Sequence, residues 1–259
     1  MGILGYFKPF GRMIRLDDDI RNLGKNTPEI LKEAIQKGDL QSALALTEYL
    51  AVEGKALHDS YTDWVFADLD WISRNYGEEE VPKVLRYAKE NQNRSAYWQG
   101  RTSLIDARDK VIAASEGQRS HRSGRKEQGD FNIWEETDRY VMEFDPCGSG
   151  GRMARGPLDR SGSRLEAPFS LGKTTKPYNW SWNKAGVPYY CIHCCLWSEI
   201  MAIEKNGYPL RVTEFPADDY GKPCKWYFYK DPNLIPEAFF ERVGFSKDPT
   251  RFRDGQPTL

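Results

Sequence analysis

Apolar positions recur at helical spacing through the first part of the chain and at shorter, mixed spacing after residue 130. Thr27 followed by Pro28 supplies an N-cap and a first helical residue. From Asp39 to about Tyr76 the spacing of Leu57, Tyr61, Trp64, Val65, Leu69 and Ile72 predicts a long helix, and Gly77 marks its stop. Val81–Glu90 and Ser103–Ser115 read as shorter helices. The polar, Gly/Ser-rich stretch 117–130 reads as a flexible, solvated linker. Beyond it, Arg139–Phe144, Leu210–Phe215 and Lys225–Tyr229 read as strands, while Cys194–Lys205 and residues 234–242 read as helices. Residues 148–188 are rich in Gly and Pro and read as largely irregular, a length of loop that is usually functional or disordered. The pattern predicts an α+β fold, with a helical N-terminal half (1–116) packed on a C-terminal mixed α/β domain (131–245) that carries an antiparallel sheet, and a tail at 246–259.

Charge narrows the function classes. Net charge is -1, so no global field favours nucleic acid or an anionic membrane. Mean hydropathy is -0.70, and no apolar run approaches the roughly 18 residues that a membrane span requires. The start of the chain has no long apolar stretch of the signal-peptide kind. An odd number of cysteines argues against a secreted disulfide framework, and a reducing cytoplasm is the expected compartment. Self-association is left open by the sequence.

All five cysteines lie between positions 147 and 224. Cys147-Gly148-Ser149-Gly150-Gly151-Arg152 follows a strand. Its glycines would let backbone N–H groups form an anion nest, with Arg152 as a carboxylate clamp and Cys147 as an activated thiolate. The absence of a Gly-Lys-Ser/Thr ending excludes a Walker loop. Cys191 and Cys194 have C-x-x-C spacing. With Cys224 they would supply three soft ligands, leaving a fourth position for Glu214, His193 or water, and Zn²⁺ is the ion such ligands favour. His193 or His58 would serve as the proton shuttle, whereas His121 falls in the linker. Trp180, Trp182 and Tyr190 flank the second cysteine group and would wall a planar ligand, although strand packing explains the two tryptophans almost as well.

Two resemblances rest on these residues. Residues 185–230, with Cys191, Glu214 and Cys224, resemble the small-molecule-binding domain of the 4-vinyl reductase type, which implies a zinc site. Phe215, Pro216 and Ala217 stand where that family has a further cysteine, which leaves Cys194 as the available substitute. From about residue 50 to 230 the chain is similar to L-2-amino-thiazoline-4-carboxylate hydrolase-like proteins, through Ala56-Leu57-His58-Asp59, the 145–152 segment and Gly186-Val-Pro-Tyr-Tyr-Cys191-Ile-His193-Cys194. That similarity implies hydrolysis of a small carboxylated, sulfur- or nitrogen-containing ring. The expected function is therefore a hydrolase-like enzyme acting on a small carboxylate through a thiolate or a metal. The competing expectation is a zinc-containing binding or sensor module without catalysis.

Overall fold

A computed structural model describes residues 4–92, 106–127, 129–156 and 162–253. The fold is α+β, and the chain divides into two compact units, 1–61 and 62–259. The division falls inside a helix rather than at the expected boundary near residue 116.

In the first unit, β1 (Leu4–Phe7) and β2 (Arg12–Arg15) form an antiparallel hairpin that the sequence pattern did not reveal. Its turn depends on Gly11 at φ 61°, a left-handed conformation that glycine adopts without strain. α1 (Thr27–Gln36) is capped by Asn26, whose side chain accepts the Glu29 N–H at 3.0 Å. Thr27, expected to be the cap, is instead the first helical residue and donates to Glu53 at 2.9 Å. Ile30, Ala34, Ala43 and Leu46 make a small core.

α2 (Leu40–Tyr76) crosses from the first unit into the second and stops at Gly77, φ 104°. Its buried face coincides only in part with the one the apolar pattern indicated: Leu69 is buried as expected. Leu57, Tyr61 and Trp64 are more than half exposed, whereas Thr62, Phe66, Leu69 and Asp70 are buried. Apolar residues occur all round this helix, and three of its buried positions, Asp59, Thr62 and Asp70, are polar, so hydrophobicity alone misplaces the inward face.

The second unit adds α3 (Val81–Gln92) and α4 (Ala107–Ser120). The predicted start of α4 at 103–105 lies outside the described residues. The expected linker is largely ordered structure: α4 runs through residue 120, and the turn after it buries Ser123 and Glu127. Gly124 donates to the Pro146 carbonyl at 2.9 Å, so this polar stretch packs on the cysteine loop rather than floating in solvent.

A four-stranded antiparallel sheet follows, in the order β3 (Asn132–Glu135), β4 (Arg139–Phe144), β6 (Cys224–Tyr229), β5 (Val212–Glu214). Phe144 pairs with Cys224 and Met142 with Trp226. Strand alternation therefore places Met142, Phe144, Cys224, Trp226 and Phe228 on one face, which packs toward Ala107 and Val111 of α4. Edge strand β3 is exposed throughout, which is why it carries no readable alternation. The segment 148–188 is not wholly irregular. α5 (Gly150–Arg155) follows Cys147, and a short 3₁₀ turn spans Asn179–Ser181.

The remaining layer is one helical run: α6 (Ile192–Cys195), a π turn (Leu196–Ile200) and α7 (Met201–Asn206), ended by Gly207 in the left-handed conformation. Beyond the sheet come the short α8 (Ala238–Glu241) and two 3₁₀ turns, Pro232–Leu234 and Pro249–Arg251. No helix among the described residues is long and apolar enough to cross a membrane.

Candidate functional site

The second unit contains a cavity of about 670 Å³ bounded by the sheet face, α4 and the α6–α7 run. Small side chains at Ala113, Ala114 and Gly117 keep the α4 side open. Cys147, Cys191, Cys194 and Cys224 all reach its wall, brought there by a loop, a helix start, the helix itself and a strand start. Cys147, Cys194 and Cys224 pack against the cluster that contains Met142, Phe144 and Trp226, and Cys191 belongs to the main core. Cys195 is fully buried elsewhere, its sulfur 3.6 Å from the Asn179 carbonyl.

The glycines beside Cys147 are required by close packing. A Cβ on Gly148 would stand 1.7 Å from the His121 carbonyl oxygen, and one on Gly150 would stand 2.4 Å from Cys191 Sγ. Gly151 brings its N–H to 3.0 Å from Cys147 Sγ. The loop is thus a device for pressing backbone against two sulfurs. Arg152, expected to be the substrate clamp, is absent from the cavity wall. It is buried behind the loop, donating to the Arg122 carbonyl at 3.3 Å with Glu127 at 3.9 Å.

Burial raises the pKa of all five thiols, most strongly at Cys191, Cys195 and Cys224. The lowering expected at Cys147 does not survive burial, although N–H donation from Gly151 and Ser149 offsets part of it. At Cys194 the offset comes from Arg211, whose Nη2 lies 3.5 Å from Sγ.

His193 Nδ1 lies 2.5 Å from the Tyr190 carbonyl oxygen. A carbonyl only accepts, so this nitrogen carries the proton, and Nε2, 3.4 Å from Cys194 Sγ, is the accepting atom. Burial, with Arg211 and Lys89 adding to it, keeps the ring neutral with a pKa near 4. His58 belongs to the first unit, where its Nδ1 lies 3.1 Å from Asp59 Oδ1. His121 does reach the cavity wall, contrary to its expected place in a linker.

Trp182 and Tyr190 line the cavity, but Trp180 does not. It stacks on Tyr178 at 4.1 Å in a separate groove. Glu214 is exposed, accepts a hydrogen bond from the Tyr227 hydroxyl and does not line the cavity. No three His, Cys, Asp or Glu side chains among the described residues are placed to hold a single ion. Tetrahedral zinc would need thiolates about 3.8 Å apart, from Zn–S bonds of about 2.3 Å.

Sequence reasoning missed the cations. Arg211 lies over the Trp226 ring at 3.5 Å, and Lys89 lies over Trp197 at 5.4 Å. The charged lining comprises Lys89, Lys110, Arg155, Lys205, Arg211, Lys222 and Arg253 against one acid, Glu90. Three buried polar atoms on residues of this wall, Arg211 Nε, Thr213 Oγ1 and Trp226 Nε1, have no hydrogen-bond partner among the described residues. Two of the three can only donate, so an acceptor-bearing ligand would satisfy them. These residues are scattered along the sequence, and only the fold collects them.

No family model, curated protein or solved structure matches this chain.

Proposed function

We propose that the chain is an enzyme acting on a small carboxylated molecule held in this cavity, with the thiols serving as nucleophile or as metal ligands, in a reducing cytoplasm. The carrying observation is the wall itself. Seven basic residues face one acid in a chain of net charge -1, and Arg211 and Trp226 hold donors with no acceptor beside the cysteines. A volume of about 670 Å³ suits a small-molecule ligand. The mainly apolar wall, with Trp182, Tyr190 and Trp226, would take the body of the ligand, and the cations its acid group. Opening a heterocycle by hydrolysis, the reaction implied by the resemblance, needs an activated nucleophile and an acid for the departing heteroatom.

The direct test is incubation with 2-amino-thiazoline-4-carboxylate and mass-spectrometric detection of the hydrated product. Cys147→Ala should abolish turnover while leaving the circular dichroism spectrum intact. Arg211→Met should raise KM about ten- to hundredfold, the worth of a lost charge-assisted hydrogen bond. Binding without turnover in the wild type would refute the enzyme and leave a binding module. An unchanged KM in Arg211→Met would refute the placement of the acid group.

A further inference from the structure

We propose that Cys194 is the nucleophilic thiol of this cavity, that His193 is the base that takes its proton, and that Arg211 holds the acid group of the ligand beside it. His193 Nε2 lies 3.4 Å from Cys194 Sγ, within hydrogen-bond reach of a sulfur. The opposite ring nitrogen, Nδ1, donates to the Tyr190 carbonyl at 2.5 Å, which leaves Nε2 as the accepting atom. A nucleophile, a base within its reach and a third group that orients the base make up the arrangement that activates an otherwise weak nucleophile. The ring is held in this position by its neighbours. It packs edge-on to Tyr190 at 5.0 Å and tilted against Trp197 at 4.9 Å, one turn before it and one turn after it. His193, Cys194, Trp197 and Arg211 all line the cavity, so the pair is open to a ligand there.

Arg211 connects this pair to ligand binding. Its Nη2 stands 3.5 Å from Cys194 Sγ, and its buried Nε has no hydrogen-bond partner among the described residues. Both nitrogens belong to one rigid planar group, which lies over the Trp226 ring at 3.5 Å. An acid group that accepts from Nε therefore comes to rest beside the sulfur, and the rest of the ligand is held within its reach. Burial raises the Cys194 thiol and keeps the His193 ring neutral, with Arg211 offsetting part of the rise at sulfur. The resting pair is thus a thiol and a neutral imidazole, and the proton crosses as the sulfur attacks. In the ring opening, the Sγ–H proton passes to Nε2 and Sγ bonds to the carbon of a C=N bond, whose π pair moves to nitrogen. That pair returns as the bond from the same carbon to the other ring heteroatom breaks, and the heteroatom takes the proton from Nε2. Water then gives Nε2 a proton and adds to the carbon, and the carbon–Sγ bond breaks to restore the thiol. The sum is substrate plus water giving the opened product, with no change of oxidation state.

This inference rests on the enzyme reading for its chemistry and names the attacking sulfur. Cys147 shares the cavity wall, so loss of turnover in an alanine variant does not identify the nucleophile, whereas the position of a covalent label does. The experiment is labelling of the folded full chain with a substoichiometric amount of iodoacetate, a small carboxylated electrophile, followed by peptide mapping. Sγ displaces iodide while His193 takes the proton. Cys194 should carry most of the label and should react faster with iodoacetate than with neutral iodoacetamide. His193→Phe keeps a ring between Tyr190 and Trp197 and should slow labelling of Cys194 by about tenfold or more. Arg211→Met should abolish the preference for iodoacetate. Circular dichroism checks the fold of both variants, and the order of labelling in the wild type stands independently of them. A Cys194 that resists labelling, a first label on Cys147, Cys191 or Cys224, or an unchanged rate in folded His193→Phe overturns the proposal. Cys194 labelled as expected in a chain that fails to turn over 2-amino-thiazoline-4-carboxylate refutes only the substrate reading.

Discussion

One helical run, Ile192–Asn206, serves two buried sites of opposite character. On one side Glu199 is fully buried and completely satisfied. Oε1 accepts from Trp182 Nε1 and from the Thr213 N–H, both at 2.8 Å, and Oε2 from Arg242 at 2.7 Å. On the other side, Cys194 and its neighbours face a cavity where Arg211 and Trp226 keep unused donors. The π turn at Leu196–Ile200 serves both, contributing Glu199 to one and Trp197 and Ser198 to the cavity wall. The contrast suggests a rule for reading buried polar groups. A group whose partners are all internal holds the fold together, and a group left with unused capacity on a cavity wall points to a ligand.

The largest way to break this comparison is at Arg242. Burial pushes the Glu199 carboxyl up, and Arg242 is the strongest influence opposing that shift. Arg242→Met would leave a fully buried carboxylate with two neutral donors. Removing one partner of such a pair costs about 3–5 kcal/mol. Urea denaturation should show that loss, and adding Glu199→Gln should recover part of it. A loss below about 1 kcal/mol, the range of exposed pairs, would mean that Glu199 is not the structural anchor its geometry indicates.

Next in size is Gly148→Ala. Its Cβ would meet backbone atoms of His121 and Ser123, which cannot swing aside as a side-chain tip can. Overpacking of this kind costs about 1–3 kcal/mol, and the upper end is expected here. Thermal melts would measure it. A neutral result would show that the turn at 121–123 yields, restoring the flexible linker that composition alone suggested.

How much of this was legible in the sequence differs between the two sites. Cys147, Cys191, Cys194 and Cys224 were conspicuous by type and spacing, and the structure gathers them. The Glu199–Arg242 pair was invisible, because its members stand 43 residues apart and their pairing depends on tertiary packing. Arg152 was misread for a related reason: adjacency to glycines suggests an anion clamp, but side-chain direction is set by the helix it lies in. The strands β4 and β6 were readable because both faces carry large residues, whereas exposed β3 gave no signal. On α2, exposed aromatics at helical spacing mimicked a buried stripe.

A second satisfied carboxylate sharpens the comparison with a smaller effect. Glu78 accepts hydroxyl bonds from Tyr178 and Tyr189 at 2.7 Å and both groups of Thr175 at 2.8 and 2.9 Å. Burial pushes its pKa up, but those bonds together outweigh burial and hold it below the usual value. The sign follows: the unfolded carboxyl takes its proton first as pH falls. The stabilisation is therefore full above the unfolded value near 4.5 and is lost as pH drops through the folded one. Glu78→Gln should cost about 1–2 kcal/mol at pH 7. The difference between variant and wild type should shrink as pH falls below that window. A constant difference across the range would mean that the charge is immaterial and only the shape of the side chain counts.

The smallest expected effect belongs to Cys195, and it tests the partition of the thiols. It adjoins Cys194 in sequence, yet its side chain is fully buried off the cavity, against the Asn179 carbonyl. Cys195→Ala removes one sulfur from packed surroundings and should cost about 1 kcal/mol, in the range of losing a methylene-sized group. It should leave turnover at the wild-type level, whereas Cys194→Ala should reduce it. Measuring the pair side by side matters more than either alone, because the two residues share a helix turn and any general damage there would strike both. If Cys195→Ala lost function in step with Cys194→Ala while remaining folded, the boundary between structural and reactive thiols would have to move by one residue.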